Sequence, residues 1–251
     1  MKKITENRRN EITKLILANE HMRVEQLAKL FQVTPETIRT DFRYLETKGV
    51  LYRTHGGASC RSTNALAPMD IRSKEQLDVK QSIAYRAIDY IKDDMVIFLD
   101  AASTILPLGN LLRLRRNLTI YTNSLELLPI LSVSEHRIIF VGGEYDRFNK
   151  FTTGFYAEQM IEHVYFDLLV CGMDGYKDMS GPGLEVMDEL SLKKALLKHA
   201  KLKLLLSGAE KWDRPSKFQY ADFSDFDIVI TENLRKEIKD QLSIKIVDVH
   251  Q

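Results

Sequence analysis

From Met95 onward the sequence alternates strand-length apolar runs with stretches of helical apolar spacing. No other feature restricts the fold as much. Met95 to Leu99, Leu118 to Tyr121, Arg137 to Val141, Phe166 to Cys171, Lys203 to Leu206, Phe226 to Ile230 and Lys245 to Val249 read as strands. Ser103 to Leu114, Leu125 to Leu131, Phe155 to Glu162, Asp188 to about Lys201 and Asn233 to Leu242 read as the helices between them, after a helix from about Lys74 to Ile91. Strands linked through helices run parallel and are covered on both faces. The expected class is α/β with a mainly parallel sheet.

The first 57 residues follow another plan. Residues 4 to 19 form an amphipathic helix, a turn falls at Glu20 to Met22, and Val24, Leu27, Ala28, Leu30 and Phe31 make a second apolar stripe. After a tight connection at Gln32 and Val33, Thr34 is suited to an N-cap and Pro35 to the first helical position. Ile38, Phe42 and Leu45 face inward from this third helix, and Gly49 is its expected C-cap. A short ribbon follows, with a strand starting at Leu51 to Arg53 and a turn at His55-Gly56-Gly57. Three helices and a ribbon predict a winged helix-turn-helix, in which the third helix enters the major groove of DNA. Its outer face holds Glu36, Thr37, Arg39, Thr40, Arg43, Tyr44 and Lys48 beside the cap Thr34. Arg39 and Arg43 share a face, and each can bond guanine bidentately or hold a phosphate. Thr37 and Thr40 can contact phosphate or a thymine methyl. Lys48, Arg53 and His55 sit where backbone contacts are made, and Asp41 is a cap or an arginine partner.

Charge supports the split. The whole chain has a formal net charge of +1, yet residues 1–61 hold 12 basic against 7 acidic residues, leaving the rest acidic overall. A basic segment of this kind suits a polyanion, although chance clustering gives the same asymmetry. The division expected is a DNA-binding domain over 1–57, a linker over 58–73 rich in small and polar residues, and an α/β domain over 74–251.

Open α/β sheets bind ligands beyond the carboxyl ends of their strands. Asp100 to Thr104 and Asn123-Ser124 occupy such ends. The hydroxyls of Ser103 and Thr104, with backbone N–H groups, can hold a phosphate or can simply cap a helix. Gly142-Gly143 permits close backbone approach or makes a turn. Asp100 and Asp174 can bond sugar hydroxyls or cap loops. Lys193 and Lys211 are candidate positive charges, although Lys194, Lys198 and Lys201 make a solvated face an equal reading of Lys193. Thr152, Thr153 and Gly154 read as a flexible stretch able to close over a ligand.

Thr34-Pro35-Glu36-Thr37-Ile38-Arg39-Thr40-Asp41-Phe42 with Arg53-Thr54-His55-Gly56-Gly57-Ala58 closely resembles the DeoR family of bacterial transcription regulators. Phe98-Leu99-Asp100-Ala101-Ala102-Ser103-Thr104 looks like that family's sensor loop. Thr122-Asn123-Ser124, Val141-Gly142-Gly143, Asp167 to Gly175, and Glu189 with Lys193 follow in the family's order. The resemblance implies a repressor of a carbohydrate or polyol operon, with a sensor fold like ribose-5-phosphate isomerase and a phosphorylated sugar or polyol as effector. It singles out Lys193 and brings Ala102 into the effector site. Block 34 to 57 looks most like galactitol-type repressors. Three departures stand out. Thr40 replaces a second arginine, Ala102-Ser103 replaces Gly-Thr, and Ser207-Gly208-Ala209-Glu210-Lys211-Trp212 loses the usual aspartate while adding Glu210.

Cys60 and Cys171 lack disulfide or zinc spacing, no run reaches transmembrane length, and the basic start has no apolar core of a signal peptide. The expectation is a cytoplasmic homodimer or homotetramer on operator DNA, with no cofactor, metal or membrane. The alternative is a sugar-phosphate isomerase with an attached DNA-binding unit, using Asp100, Asp174 or Glu210 as a base. A purely architectural DNA binder is a third reading.

Overall fold

The computed structural model describes residues 2–19, 21–48, 50–59, 66–177 and 179–249. The chain divides into two compact units, Met1–Arg72 and Ser73–Gln251.

In the first unit, α1 (Lys2–Asn19), α2 (Val24–Phe31) and α3 (Pro35–Thr47) enclose Ile12, Ile16, Leu27, Ile38, Phe42 and Leu45. Gln32 ends α2 in the left-handed conformation at φ 53°, with its N–H on the carbonyls of Ala28 and Lys29. Thr34 caps α3 by accepting the N–H of Thr37 at 3.2 Å, and Pro35 follows at N1. The expected cap Gly49 lies outside the described residues. Lys48 ends the helix instead, its N–H donating to the Tyr44 carbonyl at 3.2 Å. The turn expected at residues 20–22 is in part a strand, β1 (His21–Arg23), which joins β2 (Tyr52–Thr54) and β3 (Gly57–Ser59) in an antiparallel sheet of order β1-β3-β2. A three-residue strand is too short to show alternation in sequence. β3 also carries the ribbon past the expected domain limit at 57. Within the expected linker, residues 60–65 lie outside the described residues, and Met69–Arg72 forms a short helix, α4.

The second unit opens with α5 (Leu77–Ala87), extended by a 3-10 turn through Tyr90. There follow β4 (Val96–Leu99), α6 (Leu106–Leu111), β5 (Thr119–Thr122), α7 (Leu127–Leu131) and β6 (Arg137–Phe140). A hairpin, β7 (Glu144–Asp146) and β8 (Phe151–Thr153), leads to α8 (Phe155–Ile161) and β9 (Phe166–Gly172). Next come β10 (Gly183–Leu184), α9 (Leu190–Lys198), β11 (Ala200–Ser207), β12 (Phe218–Gln219), β13 (Ile228–Thr231), α10 (Lys236–Lys239) and β14 (Lys245–Asp248). Seven strands make one parallel sheet of order β14-β13-β11-β9-β4-β5-β6. Consecutive residues Ile97, Phe98 and Leu99 are all fully buried, so both faces of β4 are covered. Phe98, Leu169 and Leu205 pack in one cluster with Ala157 and Ile161 of α8 and Leu192 and Leu196 of α9.

Three helical expectations change. The segment expected from Ser103 becomes α-helical only at Leu106, because residues 102–105 close a separate turn through the Ile105 N–H and the Ala102 carbonyl. The helix expected to reach Lys201 stops at Lys198, because Ala200 already pairs with Phe166 in the sheet. That expected from Asn233 to Leu242 shrinks to α10. Among the described residues no helix is long and apolar enough to cross a membrane.

Candidate functional site

The outer face of α3 is built as its spacing requires. Glu36, Arg39 and Arg43 lie one turn apart, and all are exposed. The Glu36 carboxylate takes Arg39 Nη1 at 3.3 Å and makes a closer pair with Arg43. One carboxylate therefore holds two guanidinium forks that nucleic acid would compete for. Thr40 is exposed beside them, and the Thr37 hydroxyl is 2.9 Å from that of Thr34. Tyr44 is less free than expected. The Arg9 guanidinium lies over its ring, 3.9 Å from the centroid, and Lys48 Nζ is 5.8 Å away. In the ribbon, Arg53 binds Glu46 through its backbone N–H at 3.1 Å and through Nε at 2.6 Å. Those two bonds hold the Glu46 carboxyl below the usual range. His55 is exposed in the turn, where Gly56 takes φ 81°.

Asp41 points the other way. It is 1% exposed and receives Arg8 Nε at 2.6 Å and Arg9 Nε at 2.8 Å. It is thus an arginine partner that ties α3 to α1. Arg8 and Arg9 were missed as candidates, although the basic start of the chain was their signal.

Arg43→Ala is expected to weaken specific operator binding by about 1–3 kcal/mol if the side chain reads a base. Lys48→Ala is expected to weaken all sequences alike and to reduce the salt slope by about 1. Gel-shift titrations at several salt concentrations test both. Affinities equal to the unaltered protein for both variants contradict the assignment.

At the carboxyl edge of the large sheet, the candidates fall into linked groups. Asp100 leaves β4 buried. Its Oδ2 accepts the Gly172 N–H at 3.0 Å and lies 2.5 Å from Lys193 Nζ. Lys193 also donates to the Gly172 carbonyl at 3.2 Å, has Glu189 at 3.9 Å, and sits 5.0 Å from the Tyr220 ring centroid. Burial disfavours its charge, but the Asp100 and Glu189 carboxylates outweigh that and hold it above the ordinary lysine value. With a side-chain exposure of 4%, Lys193 is buried and paired with Asp100.

The second group is Ser103, Thr104 and Lys211, all buried. Lys211 Nζ donates to Thr104 Oγ1 at 3.3 Å, joining the loop after β4 to the 3-10 turn after β11. Ser103 and Thr104 are not caps of α6, since Ile105 holds that position. The altered residues fit around this pair. A Cβ on Gly172 would collide with that of Ala102, so Ala102 closes over a glycine. Ser207 is buried and donates to the Gly208 carbonyl, whereas Glu210 is exposed.

The third group surrounds the hairpin. Asn123 Nδ2 donates to the Thr152 carbonyl at 2.9 Å, while its buried Oδ1 has no hydrogen-bond partner among the described residues. Ser124 is engaged locally, its Oγ accepting the Leu127 N–H at 3.4 Å. Thr152 and Thr153 belong to β8 and are buried, which corrects the expected flexible stretch. The Thr152 N–H is bonded to Asn123 and its hydroxyl to Val141. Gly143, at φ 151°, packs so closely on the Thr153 carbonyl that a Cβ would clash, whereas Gly142 faces open space. Asp174 caps its own loop by accepting the Glu185 N–H at 3.0 Å.

Two residues of this region were not foreseen. Tyr220 donates its hydroxyl to the Gly172 carbonyl at 2.9 Å. Glu185 is buried, with Oε2 3.0 Å from Lys217 Nζ and Oε1 lacking a hydrogen-bond partner among the described residues. Both lie in irregular chain, where periodicity carries no signal. Cys171 is buried beside them, and burial pushes its thiol far above the reactive range.

Residues 8–64 match the DeoR-like helix-turn-helix domain, and residues 75–233 match the DeoR C terminal sensor domain. The chain belongs to the DeoR family. This DeoR-family protein is 29% identical over 227 residues to the glycerol-3-phosphate regulon repressor of Escherichia coli (strain K12), with 90% of each chain covered. It is 28% identical over 247 residues to the HTH-type transcriptional regulator GlpR of Haloferax volcanii, with 96% of each covered. Among solved structures, the chain is similar to ribose 5-phosphate isomerase from Plasmodium falciparum, at 16% identity and a TM-score of 0.37 over 53% of this chain and 52% of that one.

Proposed function

We propose that this DeoR-family regulator represses a carbohydrate or polyol operon and that a phosphorylated sugar or polyol controls its hold on operator DNA. The observation that carries the effector reading is the Lys211–Thr104 pair. A buried ammonium meets a hydroxyl loop at the edge where parallel sheets take ligands. A phosphate there gains a charge-assisted bond from Lys211 and hydroxyl donors from Ser103 and Thr104. Asn123 Oδ1, buried and unpartnered among the described residues, then accepts from a ligand hydroxyl. Asp100 and Lys193 support the loop from beneath without touching the phosphate.

The operator is read by Thr34, Glu36, Thr37, Arg39, Thr40, Arg43 and Tyr44, with Lys48, Arg53 and His55 on the backbone. One chain carries one reading helix, so two copies serve successive major grooves as a dimer or a dimer of dimers in the cytoplasm. The effector favours one sensor conformation and releases the operator through the linker. The names of the relatives above lend no support to a galactitol operon in particular.

The protein acts by binding and not by turnover. An isomerase needs a base free to reach substrate carbon. Asp100 is engaged by Lys193 and Gly172, Asp174 by the Glu185 N–H, and Glu210 faces outward. Genome-wide footprinting tests the whole reading. Sites beside carbohydrate or polyol genes are expected, and binding without sequence preference contradicts it.

A further inference from the structure

Away from the carboxyl edge, the sensor unit has a concave feature. A cleft of about 450 Å³ is lined by Lys194, Leu197 and Lys198 of α9, Lys203 of β11, Tyr220, Ser224, Asp225 and Asp227. Lys194 and Lys198 are one helical turn apart, which puts their stems on one face. Each of its two carboxylates accepts one backbone N–H, and with the three lysines the lining has a formal charge of +1. Asp227 Oδ2 accepts the Lys203 N–H at 2.8 Å, and Asp225 Oδ2 accepts the Asp222 N–H at 2.8 Å. Among the described residues, none of the three ammonium groups has a salt-bridge partner, although two carboxylates line the same cleft. Lysines that merely solvate a helix face need no such hollow.

We propose that this cleft is a second ligand site, for a small anion carrying two or more negative charges a few ångström apart. Lys194 and Lys198 bracket the charges, Lys203 closes the far side, and the Ser224 hydroxyl supplies a further donor. The site does not depend on the sugar-phosphate reading. It does share a wall with that centre. Tyr220 lines the cleft, yet its hydroxyl bonds the Gly172 carbonyl that also receives Lys193. An anion in the cleft therefore presses on a side chain that contacts the Asp100–Lys193 pair.

Calorimetric titration of the full chain with pyrophosphate, and separately with citrate, tests the site. Saturable binding of at least one probe is expected, stronger for pyrophosphate if phosphoanhydrides are the natural class and for citrate if polycarboxylates are. The double variant Lys194→Gln, Lys198→Gln weakens it by up to roughly 30-fold, since each exposed charge contributes at most about 1 kcal/mol. Lys211→Met leaves it unchanged. Three results overturn the proposal: no saturable binding of either probe in the millimolar range, equal binding by the double variant, or loss of binding in Lys211→Met. The last would mean that the probe binds at Lys211 and Thr104 instead.

Discussion

Lys193→Met lowers the thermal midpoint of the sensor unit by about 10 °C, equivalent to about 3–5 kcal/mol for a domain of this size. The variant removes the cation and leaves Asp100 buried, with the Gly172 N–H still donating to it. A buried charge without its counter-ion is costly, whereas removing both members of such a pair is often nearly neutral. Adding Asp100→Asn, which removes the charge and keeps an oxygen for the Gly172 N–H, should therefore restore most of the lost stability. The pH dependence follows from the direction of the shift. The folded value of Lys193 lies above its unfolded value near 10.5, so the pair stabilises fully below that value and is lost as pH rises through the folded one. Stability between neutrality and mild alkali should show no step from this pair. Calorimetric scans of both variants check the account, and a midpoint shift of a degree or two for Lys193→Met contradicts it.

Lys211→Met separates ligand sensing from DNA reading. A charge-assisted bond to phosphate contributes about 1.5–3 kcal/mol, so the effector should bind roughly 10- to 150-fold more weakly. Operator affinity without effector should stay within about twofold, because α3 and the ribbon belong to the other compact unit. Matched titrations of effector and operator decide it. Loss of both affinities together would mean that Lys211 serves the fold and not the ligand.

Both variants turn on residues whose roles were unequally legible. α3 was legible almost to the residue, because Thr34-Pro35 marks its start and Ile38, Phe42 and Leu45 recur at helical spacing. The seven parallel strands were legible because each is a compact apolar run. β1, the β7–β8 hairpin and the β10–β12 pair were not, since two or three residues cannot display alternation. Lys193 looked like one lysine of a solvated helix face. Its burial depends on Asp100, ninety-three positions away in sequence, and on the Tyr220 ring from an irregular stretch. Thr152 and Thr153 looked mobile because small polar residues beside a glycine resemble a loop. Their order comes from backbone bonds to Asn123 and from the pairing of β8 with β7. Local signals thus fixed the elements, while contacts distant in sequence fixed which polar groups remain available to a ligand.

The measurement that bears most directly on the central claim is operator affinity across a panel of phosphorylated sugars and polyols, each paired with its unphosphorylated parent. At least one phosphorylated compound should weaken operator binding by roughly 5- to 150-fold, the usual span of allosteric coupling, while its parent has no effect. Unchanged affinity across the whole panel, or an equal response to the unphosphorylated parent, would contradict a phosphate-gated repressor.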